Sequence, residues 1–175
     1  MTGPDLTGTC PAVMTREAAY GFAQRRSWVF SAWWYSAVLA ASGAVYSGFS
    51  LVLGQSPETG VVMAILGAAL SAMGWALTAA PRFTRKFPKP ASDIARVEQG
   101  IRTTPITIRT LLIATALGVA ALAILTPKGG TPEMLPLLAM IVTVAAGACA
   151  GLAYIRRLMM RSVELYARWL NRWHS

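Results

Sequence analysis

Four stretches of the chain, about 33–53, 61–80, 111–125 and 135–154, are almost wholly apolar and hold no Asp, Glu, Lys, Arg or His. Apolar runs near 20 residues match the roughly 30 Å hydrocarbon core of a bilayer. The pattern therefore predicts an all-α fold with four transmembrane helices. The links 54–55 and 126–130 are short, and short links force consecutive helices to lie antiparallel and adjacent. The expected architecture is two antiparallel hairpins. The polar pattern divides the rest into an N-terminal arm over 1–27, a first hairpin over 28–80, a basic loop over 81–104, a second hairpin over 105–155 and a basic amphipathic tail over 156–175.

Three expected helix starts share one local chemistry: Ser56-Pro57, Thr104-Pro105 and Thr131-Pro132. A hydroxyl at the cap and a proline at the first helical position satisfy an orphan N–H and preset φ. They place the second, third and fourth spans near Pro57, Pro105 and Pro132. Thr15 reads as the cap of a short helix over 16–27, with Glu17 in its first turn, where the helix dipole favours an anion. Ser92 reads as the cap of a second short helix, whose Ile94, Val97 and Ile101 share a face suited to the membrane surface. In the tail, Arg157, Arg161, Glu164, Arg168 and Arg172 step by three or four, while Met159, Val163, Tyr166, Leu170 and Trp173 fall off that stripe. The fourth span is expected to run on into this segment and lie on lipid.

Charge adds orientation. Of the 16 Lys and Arg residues only Lys128 lies in the loops between spans one and two or three and four. The others gather before the first span, between the second and third, and after the fourth. A bias this one-sided marks the cytoplasmic side, so both termini are expected inside. No cleavable signal is expected, the first span itself directing insertion. The formal charge of +9 would otherwise raise nucleic acid as a partner, but charges that flank apolar spans are accounted for by insertion and by anionic lipid. No nucleic-acid partner is expected. The prominence of Arg and Ala suggests a bacterial plasma (inner) membrane.

Small residues suggest how the helices meet. Gly147 and Gly151 are four apart, and Ala64, Gly67, Ala68, Ser71, Ala72 and Gly74 give the second span a small face. Such residues let helix backbones approach closely where lipid supplies no hydrophobic drive. Gly67, Ser71, Gly74, Gly147 and Gly151 are the expected packing positions. Phe22, Trp28, Phe30, Trp33, Trp34 and Tyr35 crowd the entry to the first span and read as an aromatic belt at headgroup level. Ser56-Pro57-Glu58 and Thr131-Pro132-Glu133 lie 75 residues apart, and at that offset Gly43 meets Gly118. A duplicated hairpin would produce these matches, and so would two unrelated hairpins under the same topological demands.

The missing chemistry narrows function. No span carries a carboxylate for proton coupling. The single histidine, His174, excludes two-histidine haem ligation within one chain. The spans hold no lysine for a Schiff base and no Asp pair or Ser–His dyad for proteolysis. Zinc spacing, a phosphate-binding Gly loop and a dinucleotide fingerprint are also missing. Cys10 and Cys149 fall in the arm and in the fourth span, too far apart for a bridge. No catalytic, metal or cofactor-binding residue is expected. The expected function is a non-catalytic accessory, assembly or scaffold subunit that packs against other membrane subunits or copies of itself. Arg82, Arg85, Lys86, Lys89, Arg157, Arg161, Arg168 and Arg172 would meet anionic membrane lipids or an acidic partner. The alternatives are a small homo-oligomeric transporter or channel, with a polar cavity lined by Ser36, Ser42, Ser47, Ser50, Ser71 or Thr115, and then an enzyme acting on lipid headgroups.

Overall fold

The computed structural model describes residues 15–79, 89–127 and 131–174. Among them are five α-helices: α1 Arg16–Val52, α2 Glu58–Ala79, α3 Ile94–Leu125, α4 Met134–Met160 and α5 Ser162–His174. The first four are long and apolar enough to cross a membrane.

α1 begins where the Thr15 hydroxyl accepts from the Ala18 N–H at 3.3 Å. The expected short helix over 16–27 is not separate from the first span. With 37 residues the continuous helix is about 55 Å long, roughly 25 Å more than a hydrocarbon core requires. Nothing in 28–32 breaks it: Trp, Val, Phe, Ser and Ala all tolerate helical geometry. Its far end closes at Gly54, whose φ of 71° is left-handed. The Gly54 N–H donates to the Leu51 carbonyl and the Gln55 N–H to that of Ser50 at 2.8 Å. These two bonds stop a helix and reverse the chain.

α3 corrects two boundaries. Its cap is Asp93, not Ser92, and the Asp93 carboxylate accepts from the Arg96 N–H at 3.0 Å. The helix then passes through Thr104-Pro105 without a break. Proline removes one backbone donor, but membrane helices tolerate this where hydroxyls take up nearby carbonyls. Thr103 and Thr104 donate to the Gln99 and Gly100 carbonyls, the latter at 2.5 Å. α4 starts at Met134, two residues after Pro132, with no side-chain cap on its first turn. It does not run on into the tail. Arg161, at φ −100° and ψ 15°, breaks the helix, and α5 is a separate element.

The long helices lie in an open row, α2–α1–α4–α3. α1 packs against α2 and α4, and α4 against α3; among the described residues α2 approaches neither α3 nor α4. α1 meets α2 through Ala32, Ser36, Ala40 and Gly43, and meets α4 through Trp34 and Val38. These two sets occupy nearly opposite sides of α1, because residues two apart on a helix point about 200° apart. The row leaves Leu66, Leu70 and Leu77 of α2 and Ile106, Leu112, Ile113 and Leu117 of α3 exposed. α3 buries no residue at all.

Candidate functional site: helix contacts and the basic end

Three glycines spaced by seven, Gly60, Gly67 and Gly74, are the only buried residues of α2. Seven residues are nearly two turns, so all three share one face. They sit directly on the α1 backbone: Gly60 by Gly43 and Ser47, Gly67 by Ala40, Gly74 by Ala32. A Cβ on Gly43 would in turn lie 2.6 Å from the Ala64 nitrogen. Ser71 is part of the same contact, its hydroxyl donating to the Trp33 carbonyl at 3.0 Å. The Ser47 hydroxyl lies 3.0 Å from the Gly43 carbonyl and 3.3 Å from that of Pro57, tying α1 to the start of α2. Gly67, Ser71 and Gly74 are among the packing positions expected from the sequence, whereas Gly43 and Gly60 are not.

Gly147 and Gly151 face α1, against Val38 and the Trp34 indole. The indole N–H donates to the Gly147 carbonyl at 3.0 Å. Trp34 thus belongs to a helix contact as much as to an aromatic belt. Phe30 stacks on Trp34, with ring centres 5.1 Å apart, and meets Tyr154 of α4 at 4.3 Å. Trp28 is exposed. A Cβ at Gly151 would lie 2.7 Å from Trp34 Nε1, so Gly151→Leu is expected to eject the indole. That variant should show red-shifted tryptophan fluorescence and a lower melting temperature in detergent; an unchanged spectrum would mean that the contact does not depend on Gly151. The α3–α4 contact is looser. Gly118 meets a Val142 methyl group, and the Cys149 thiol lies 3.9 Å from the Ile108 carbonyl. Although Gly118 matches Gly43 at the 75-residue offset, it meets a side chain where Gly43 meets backbone.

Beyond the spans, three segments remote in sequence form one layer. Ala19 and Phe22 of α1 bury against Tyr166, with Ala18, Leu165, Trp169 and Leu170 around them. Phe22 lies 5.7 Å from Tyr166 and 5.6 Å from Trp169, ring to ring, and the Arg26 guanidinium sits over Phe22 at 5.6 Å. Burial pushes the Tyr166 phenol above its ordinary pKa. The segment leading into α3 joins this layer: the Ala91 N–H donates to the Glu17 carbonyl at 2.9 Å, and Arg16 pairs with Glu98 at 3.4 Å. The Lys89 carbonyl passes so close to Gly21 that any Cβ there would collide with it. Phe22 therefore belongs to a protein core and not to the belt, and the apolar face of α5 is turned to α1.

The basic candidates fall on several elements. Arg157 and Arg161 are exposed at the end of α4, Lys89 is exposed ahead of α3, and Arg168 is exposed on α5, paired with Glu164. Arg82, Arg85 and Lys86 lie outside the described residues, as does the side chain of Arg172. Among the described residues no group of three or more His, Cys, Asp and Glu stands together to hold a metal ion. Comparison with protein-family models, with curated proteins and with solved structures finds no match for this chain.

Proposed function

We propose that the chain is a non-catalytic accessory, assembly or scaffold subunit of a bacterial plasma membrane. In this reading its four apolar helices form two antiparallel transmembrane hairpins with both termini inside. The observation that carries it is how the span hydroxyls are used. Ser42 donates to the Leu39 carbonyl, Ser47 to that of Gly43, Ser71 to that of Trp33 and Thr115 to that of Leu111, all between 2.7 and 3.0 Å. A substrate path needs polar groups free to replace hydration. These four hydroxyls are instead committed to backbone, whereas that of Ser50 is buried without a partner, and Ser47 and Ser71 lie on α1 and α2 where the glycine contact is made. The open row adds support, because α2 packs only on α1 and α3 packs on α4 with a small contact to the start of α1, leaving broad apolar faces for other membrane helices or lipid. The basic ends of α1, α3 and α4 then meet anionic lipid or an acidic partner on the inner side.

Purification in a mild detergent, with every co-purifying subunit identified, tests the reading. A foreign subunit in fixed stoichiometry is expected; a homo-oligomer that conducts or transports a solute after reconstitution would replace it. Topology is tested separately. A reporter active only outside the cytoplasm should work when fused after Gly54 and be silent after Lys89. Activity after Lys89 would mean that the basic segment had crossed the membrane, which the charge bias opposes.

A further inference from the structure

We propose that the side of α3 turned away from α4 docks a transmembrane helix of a foreign subunit, which sets a carboxylate against Arg109. The inference rests on the reading above that the chain is an accessory subunit of a membrane, and it names the chemistry of one partner. Two contacts fix which side of α3 is free. Gly118 meets Val142, and the Ile108 carbonyl lies 3.9 Å from the Cys149 thiol. At about 100° per residue, Ile113 points about 140° away from both Ile108 and Gly118. Ile106, Arg109, Ala116 and Ala120 fall on the same side as Ile113, stepping by three or four, and all five are exposed. That rhythm is the seam along which left-handed helix pairs meet, and its alanines let a second backbone come close.

Arg109 stands at the level of an apolar span. It follows Ile108, which is level with Cys149, and Cys149 precedes the first basic residue of α4, Arg156, by seven positions. Seven residues are about 10 Å of helix, so Arg109 lies that far inside the level at which α4 ends its apolar run. An arginine that serves only to orient insertion belongs past the end of the span, where Arg156 and Arg157 stand. One within a span is costly and characteristically meets a partner. Among the described residues Arg109 has no ion pair. A second copy alongside in the same orientation cannot supply one at that depth, because no span carries Asp or Glu. Glu58 and Glu133 stand at the opposite end of the helices. Glu98, about 16 Å from Arg109 along α3, pairs with Arg16. A carboxylate from another subunit suits the position, since it accepts two parallel guanidinium N–H bonds. A lipid phosphate is the competing acceptor, reached if the side chain stretches back to the headgroups. The seam that runs on from Arg109 through Ile113, Ala116 and Ala120 favours a helix, which covers that surface and meets the charge together.

The test puts a photo-crosslinking amino acid at Leu117, exposed beside the seam, in the full chain in its native membrane. It should capture one foreign subunit that carries an Asp or Glu in the inner third of a transmembrane helix. Arg109→Gln should lower recovery of that subunit in mild detergent about tenfold, and Arg109→Lys, which keeps the charge, should restore most of it. Arg109→Glu, combined with replacement of the partner carboxylate by arginine, should rebuild the complex that either change alone breaks. Arg109 is exposed, so these changes should leave the melting temperature of the isolated chain unaltered. Arg96→Gln removes an equal charge ahead of the span and should leave recovery within about twofold. Cross-links to lipid or to a second copy alone, a captured subunit without such a carboxylate, or an equal loss in Arg96→Gln would overturn the docking side. Undiminished co-purification with Arg109→Gln would do so too, and would leave the accessory reading standing. If no foreign subunit co-purifies with the unaltered chain, that reading falls and the inference with it.

Discussion

Gly67→Leu is expected to prise α2 from α1 and to be the most damaging single change in the membrane region. Gly67 lies on the Ala40 backbone, with the Ser36 carbonyl also within reach of any added Cβ. A side chain that meets backbone has no rotamer by which to escape, so the helices must separate along the contact. Overpacking of this kind costs about 3 kcal/mol or more, and separation would also strand the Ser71 hydroxyl that bonds the Trp33 carbonyl. Gly48→Leu supplies the contrast, because nothing lies within 4 Å of a Cβ at Gly48 and lipid is as apolar as leucine. Thermal unfolding in detergent should show a large loss for Gly67→Leu and almost none for Gly48→Leu. Equal stability of the two variants would show that the glycine face does not hold α2.

Phe22→Ala should release α5 while leaving the four long helices intact. Phe22 is buried and lies within ring contact of both Tyr166 and Trp169. Replacing a buried phenylalanine with alanine costs about 3–5 kcal/mol. A helix of 13 residues is marginal without tertiary support, so it cannot absorb such a loss. The expected outcome is rapid hydrogen exchange and protease cleavage confined to 161–174, with helical content elsewhere unchanged. Protection of α5 equal to that of the unaltered protein would mean that lipid or detergent, and not α1, covers its apolar face. Phe22→Leu should restore most of the protection, since it keeps apolar volume and loses only the ring contacts.

Much of this molecule is local in origin. Four apolar runs are visible because a spanning helix satisfies every backbone group within itself, and no distant residue is needed to define it. The chain reversal at Gly54 is equally local, requiring only a residue that accepts left-handed φ. The small residues Gly67, Ser71 and Gly74 already mark one face of α2 for close approach. Helix ends were less legible. Thr104-Pro105 has the chemistry of a helix start, yet the helix begins at Asp93, because an acidic cap upstream and hydroxyl-to-carbonyl bonds within the turn outweigh one missing donor.

The partners of each face were decided only by tertiary structure. An amphipathic stripe such as that of α5 fits lipid and protein alike, and periodicity carries no information about which covers it. Phe22 becomes core and Trp28 does not, although both precede the first span, because α5 folds back onto one side of α1 alone. The pairing of Arg16 with Glu98 joins residues 82 positions apart. Sequence by itself determined the four apolar helices and the one-sided charge, since hydrophobicity, charge and φ preference belong to single residues and near neighbours. The open row and the layer that α5 and the segment ahead of α3 form with α1 depend on which surfaces meet, and that is set by packing between segments remote in the chain.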